Sequence, residues 1–138
     1  MNNNQIMNLT DNELLSSLQE LSIKENKTTV EILLHLAEVE KRKSYAASGF
    51  SSLFAYCVKG PLRYSESAAL RRISSARLAA RYPELVDLLL LRELSISTLS
   101  LVASVIEDGN KEEVLNAVRG KSRREVDLYL ASLRPKSW

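Results

Sequence analysis

Apolar residues recur along this chain at three- and four-residue spacing, and no stretch alternates convincingly as a strand would. The pattern predicts an all-α fold of about eight helices. Thr10-Asp11-Asn12-Glu13 has the form of a capping box, in which Thr10 and Glu13 each satisfy the other's backbone N–H. It opens a short helix with Leu14, Leu15, Leu18 and Leu21 on one side. Thr28-Thr29-Val30-Glu31 has the same form and opens the longest helix, to about residue 47. Val30, Leu33, Leu34 and Ala37 face inward there, while Glu38, Glu40, Lys41, Arg42 and Lys43 face water. Gly49 suits a left-handed cap at its end.

The chain is organised around residues 51–82. A helix over about 52–59 offers Leu53, Phe54, Tyr56, Cys57 and Val58 for packing, and Gly60-Pro61 ends it. Leu62-Arg63-Tyr64 leads to Ser65, an N-cap for a helix over 66–81 that Pro83 blocks from continuing. At about 100° per residue, Ala69, Ile73, Ala76 and Ala80 form one narrow inward stripe with Leu70 at its edge. The opposite face carries Ser67, Ala68, Arg71, Ser74, Ser75 and Leu78, flanked by Arg72, Arg77 and Arg81. Helix, short turn and basic helix is the order a helix-turn-helix requires.

Further along, Pro83-Glu84 starts a helix with Leu85, Leu88, Leu89 and Leu91. Ser95 or Ser97 caps another, to about residue 107, with Leu99, Val102, Ala103 and Ile106 inward. Gly109 breaks it, Asn110 caps the next, and Gly120 closes that one. Ser122-Arg123-Arg124-Glu125 is a further capping box. It opens a last helix with Val126, Tyr129, Leu130 and Leu133, which Pro135 ends. The domain organisation expected is a tail over 1–9, one helical domain over 10–134 and a tail over 135–138.

Composition agrees with this. Among 138 residues 45% are apolar, aliphatics outnumber aromatics, and glycine and proline number four and three. No apolar run reaches the ~18 residues of a membrane span. The polar start MNNNQIMNLTDNE lacks a signal peptide's basic and apolar regions. A single cysteine gives no disulfide framework. The expectation is a cytoplasmic, nucleoid-associated protein with no membrane contact.

Charge changes the picture more. The whole chain is only +2, but residues 59–82 set Lys59, Arg63, Arg71, Arg72, Arg77 and Arg81 against Glu66 alone, a local +5. Residues 1–58 are −2, residues 83–118 are −5, and residues 119–138 are +4. A local patch of this kind is what nucleic-acid binding needs. Small hydroxyl residues among arginines let a helix approach base edges, and arginine forks suit guanine or phosphate. Arg119, Lys121, Arg123 and Arg124 form a second basic patch, either an extension of that surface or a solvated loop.

Catalytic chemistry is not evident. His35 is the only histidine and lies mid-helix among leucines, as a structural histidine would. Cys57 lies in the apolar run LFAYCV and reads as a small core residue. There is no Gly-rich phosphate loop and no Ser/His/Asp set. One histidine and one cysteine make no zinc site without carboxylate partners. The expectation is neither an enzyme nor a metal or cofactor protein, with no small-molecule substrate.

The segments GFSSLFAYCV, SESAALRRI, ARLAARYPEL and LSISTLSLVA resemble the helical region ahead of the nuclease domain in a group of bacterial HNH endonucleases. The resemblance covers roughly residues 33–133. In that family a histidine-rich HNH module follows; this sequence stops at Trp138 with no second histidine, so the resemblance implies the scaffold without the nuclease. A free-standing relative and a fragment of a longer protein are both consistent with it.

More distantly, SESAALRRI, PELVDLLLLRELSIST and KSRREVDLYLASL resemble, in that order, the DNA-binding domain of ParB/KorB partition proteins. That resemblance implies operator contact by Ser65, Ser67, Ala68, Arg71, Arg72 and Ser75, with Gly-Pro-Leu-Arg-Tyr departing from the family's short glycine-centred turn. The CTP-binding half of those proteins is absent from this sequence, so nucleotide-driven clamping is not implied.

The function expected is double-stranded DNA binding, as a regulator or a nucleoid or partition-like factor. Arg71 and Arg72 would lie nearest the bases, and Lys59, Arg63, Arg77 and Arg81 would hold phosphates. If two molecules pair as a homodimer, each reads a half-site about one DNA turn (~34 Å) from the other. The alternatives are a helical protein-interaction module and the DNA-targeting domain of a longer HNH nuclease.

Overall fold

A computed structural model describes residues 1–133. Those residues form an all-α fold of nine helices, with no strand among them. They are α1 (Asn3–Met7), α2 (Asp11–Arg42), α3 (Ser44–Ala47), α4 (Leu53–Lys59), α5 (Glu66–Arg81), α6 (Glu84–Leu90), α7 (Ile96–Val102), α8 (Lys111–Val118) and α9 (Arg123–Ser132).

Two helices expected in the first third are one. α2 opens at the Thr10 capping box and runs without a break through the second apparent box at Thr28. Residues 22–27 contain neither glycine nor proline, so nothing interrupts the backbone ladder, and a capping sequence inside a helix goes unused. Lys43, in the left-handed region at φ 55°, ends α2 short of residue 47 and hands over to the single turn of α3. Within the expected amino-terminal tail, Asn2 and Gln5 form a capping box that starts α1, which has no buried residue.

The core is built on α5, which packs most extensively against α2 and α7 and also meets α4 and α6. Ala69, Ile73 and Ala76 of α5 join Leu33, Leu36, Leu53, Cys57, Leu85, Leu99 and Val102 in one buried cluster. Small residues on α5 permit this, because two helices can approach a backbone whose side chains are short. Ser75 is fully buried, and its hydroxyl donates to the carbonyl of Ile96 (3.3 Å), tying α5 to the start of α7. α9 closes the far side through Val126, packing on α7 and α8.

Leu34, expected inward, is exposed. So are Leu91, Leu133 and the apolar side Leu14, Leu15, Leu18 and Leu21 on the amino-terminal half of α2. That half extends past the core; its first side-chain links to the rest of the fold are Ser22, which accepts from Arg92, and Asn26, which donates to the carbonyl of Leu89. α7 stops at Val102 rather than near residue 107. Asn110 starts α8 as expected but without capping it: its side chain binds the 105–107 loop, donating to Val105 O and accepting from Glu107 N. Pro135 and the expected tail over 135–138 lie outside the described residues.

Candidate nucleic-acid interface

The turn between α4 and α5 is fixed by backbone geometry. Gly60 N–H donates to Tyr56 O (2.9 Å), ending α4, and Tyr64 N–H reaches back to Cys57 O (2.9 Å). Arg63 is held at φ 54°, an uncommon conformation for a side-chain-bearing residue. Ser65 then caps α5, its hydroxyl accepting from Ala68 N–H (3.2 Å). These bonds present Lys59, Arg63, Ser67 and Arg71 on one exposed connection and the first turns of the helix that follows it.

Arg72 behaves differently. Its guanidinium stacks 4.6 Å from the centre of the Tyr64 ring, and its Nε is buried with no hydrogen-bond partner among the described residues. The stack holds Arg72 across the turn, half-buried rather than extended into solvent. Tyr64 was not among the sequence candidates, although its position immediately before the cap residue marks it as a turn-facing ring. Beneath this layer Cys57 is fully buried. Burial pushes its thiol above the ordinary value, and the Arg72 charge only partly offsets that.

The second half of α5 does not present the face expected of it. Ser75 and Leu78 are buried, whereas Leu70 and Ala80, assigned to the inward stripe and its edge, are exposed. Ser75 is therefore removed from the contact set: a side chain closed between α5 and α7 reaches no base or phosphate. Ala68 and Ser74 are half-buried. Arg77 donates through Nε and Nη2 to both oxygens of Glu40 on α2, each at 2.8 Å. Those bonds hold the Glu40 carboxyl below the usual carboxylate range. Arg81 donates to Asp108 (3.1 Å), which also accepts from the Tyr82 hydroxyl (2.8 Å). The Tyr82 bond first, and Arg81 second, lower the Asp108 carboxyl. Two of the arginines expected on phosphates are thus each paired with a carboxylate at the surface.

The second basic patch is likewise divided. Arg119 pairs with Glu93 in the α6–α7 turn, where Gly120 N–H also donates to Glu93 O. Arg123 pairs with Asp127 one turn along α9. Lys121 and Arg124 have no carboxylate partner among the described residues. These contacts anchor the patch to the α6–α7 turn rather than to the α4–α5 turn.

His35 is exposed on α2, its Nδ1–H donating to the carbonyl of Glu31 (2.6 Å). It borders a shallow groove with Ile32, Val39, Tyr56, Leu62 and Tyr64, beside the same turn. Among the described residues no helix is long and apolar enough to cross a membrane. No protein-family model, curated protein or solved structure matches the chain.

Proposed function

We propose that this protein binds double-stranded DNA through the α4–α5 turn and the amino-terminal half of α5. One observation carries the proposal: Lys59, Arg63 and Arg71 all lie exposed on that segment, none with a carboxylate partner among the described residues. Elsewhere on α5 the arginines are paired or stacked. Uncommitted cations beside the hydroxyls of Ser65 and Ser67 suit a ligand with regularly spaced phosphates.

In helix-turn-helix proteins the first residues of the recognition helix meet the base edges. Burial of the α5 flanks is compatible with that approach and not with a helix lying in the groove along its whole length. Lys59 and Arg63 would contact phosphates, and Arg71 would be nearest the bases. The biological role fitting such a surface is a regulator or a nucleoid or partition-like factor. As the resemblance implies, it would also serve as the targeting module of a longer HNH nuclease. A protein-interaction module is the second reading, favoured by the exposed leucines of α2.

Fluorescence anisotropy with duplex DNA tests the proposal. Arg71→Ala is expected to weaken a selected site by ~1–3 kcal/mol and to relax its specificity. Arg81→Ala, which removes an arm already bound to Asp108, is expected to change affinity far less. Equal loss at both positions on selected and random DNA would reduce the proposal to non-specific binding. No loss at either would remove it.

A further inference from the structure

We infer that the amino-terminal half of α2 is a self-association arm, which pairs antiparallel with the same arm of a second copy. Leu14, Leu15, Leu18 and Leu21 are between 41% and 62% exposed and fall within one third of the helix circumference. Their 14–18–21 spacing is the four–three step of a helix-pairing seam. Residues 11–21 are mostly exposed around the whole helix, so this stretch stands about 16 Å clear of the core at 1.5 Å per residue. Met7 of α1, 79% exposed, lies just before it.

The arm's charge selects the partner. Residues 11–27 carry Asp11, Glu13, Glu20 and Glu25 against Lys24 and Lys27. This acidic surplus disfavours nucleic acid and anionic lipid as the occupant. Within the arm the amino end, with Asp11 and Glu13, is acidic, whereas residues 22–27 are net basic. Antiparallel pairing brings unlike ends and opposed helix dipoles together; parallel pairing brings like ends together. An antiparallel pair of one face is also isologous and closed, so it makes a dimer and not a filament. With Leu14 facing Leu21 of the other copy, residues 11–24 of the two copies overlap over about four turns. Such an overlap buries roughly half the ~800 Å2 per partner of a standard interface. Association is therefore reversible and concentration-dependent. It requires no DNA and does not rest on the DNA-binding proposal.

The test is sedimentation velocity of the full chain, without DNA, from low to high micromolar concentration. The mass is expected to climb from 15.5 kDa toward twice that value. Leu18→Glu should stay monomeric with unchanged helical circular dichroism, because Leu18 is 62% exposed and lies outside the core cluster. Leu14→Cys chains mixed with mass-tagged Leu21→Cys chains should form the mixed disulfide on oxidation. A monomer at every concentration, or a dimer that survives Leu18→Glu, overturns the inference. Cross-linking of Leu14→Cys chains only to themselves overturns the antiparallel arrangement.

Discussion

Replacing Gly60 by alanine should damage the α4–α5 turn out of proportion to the single carbon added. A Cβ on Gly60 would lie 2.3 Å from the carbonyl oxygen of Tyr56 and 3.2 Å from its carbon. Both are backbone atoms of the last turn of α4, so no rotamer change relieves the overlap. Relief requires moving that turn by nearly 1 Å, which strains the Gly60–Tyr56 and Tyr64–Cys57 backbone bonds, both 2.9 Å. Overpacking of this kind costs about 1–3 kcal/mol. The alanine recovers part of that, about 0.4–1 kcal/mol, by restricting the unfolded chain. The net loss should lower Tm by several degrees, at roughly 2–8 °C per kcal/mol across domains bracketing this size. Gly109→Ala is the internal control, since nothing lies within 4 Å of its Cβ position. It should be neutral or slightly stabilising. Urea and thermal unfolding of both variants would read the difference. A Gly60→Ala protein as stable as Gly109→Ala would refute the turn geometry, and with it the presentation of Lys59 and Arg63.

Three other outcomes are expected. Ser75→Ala should leave DNA affinity unchanged and reduce stability by about 1 kcal/mol, since it deletes a buried hydrogen bond to Ile96 O, as urea unfolding would read. Glu40→Gln should cost at most ~1 kcal/mol at neutral pH, because the partly exposed pair is screened. The Glu40 carboxyl is lowered in the fold, so its contribution is present above the ordinary glutamate range and is lost as pH falls through the lowered value. Unfolding measured from pH 7 down to strongly acid conditions should therefore show the two proteins converging. Cys57, buried and with its thiol pushed up, should react with a thiol reagent only as fast as the protein opens. Reaction at the rate of a free thiol in the native protein would contradict that burial.

Much of the fold was legible because it is written locally. Both bounds of α5 follow from the Ser65 cap and from Pro83, and the capping boxes at Thr10 and Ser122 open helices as their sequences imply. Thr28 shows the limit of that signal: a capping sequence acts only where the backbone ladder is interrupted. Periodicity assumes one covered side, whereas α5 packs against α2, α4, α6 and α7. Alanine and serine give little hydropathy contrast, so the sequence does not separate buried Ser75 from a contact residue or exposed Ala80 from a core residue.

The partners of Arg77 and Arg81 lie 37 and 27 residues away in sequence. Only the folded chain brings Glu40 and Asp108 to them, and no local rule separates those arginines from Arg71. The exposed leucines of α2 show the same limit. Their spacing specifies a helix with an apolar side but not what that side meets.

The most direct test of DNA binding is the affinity for duplex DNA of the wild-type chain and of Lys59→Ala, Arg63→Ala and Arg71→Ala, followed against salt concentration. Each phosphate contact contributes about −0.9 to the slope of log affinity against log salt. The proposal predicts measurable wild-type binding, with the slope shallower by roughly one for Lys59→Ala and again for Arg63→Ala. Arg71→Ala should chiefly lose discrimination between sites. Wild-type binding that is absent at low salt, or whose slope none of the three substitutions alters, would contradict it.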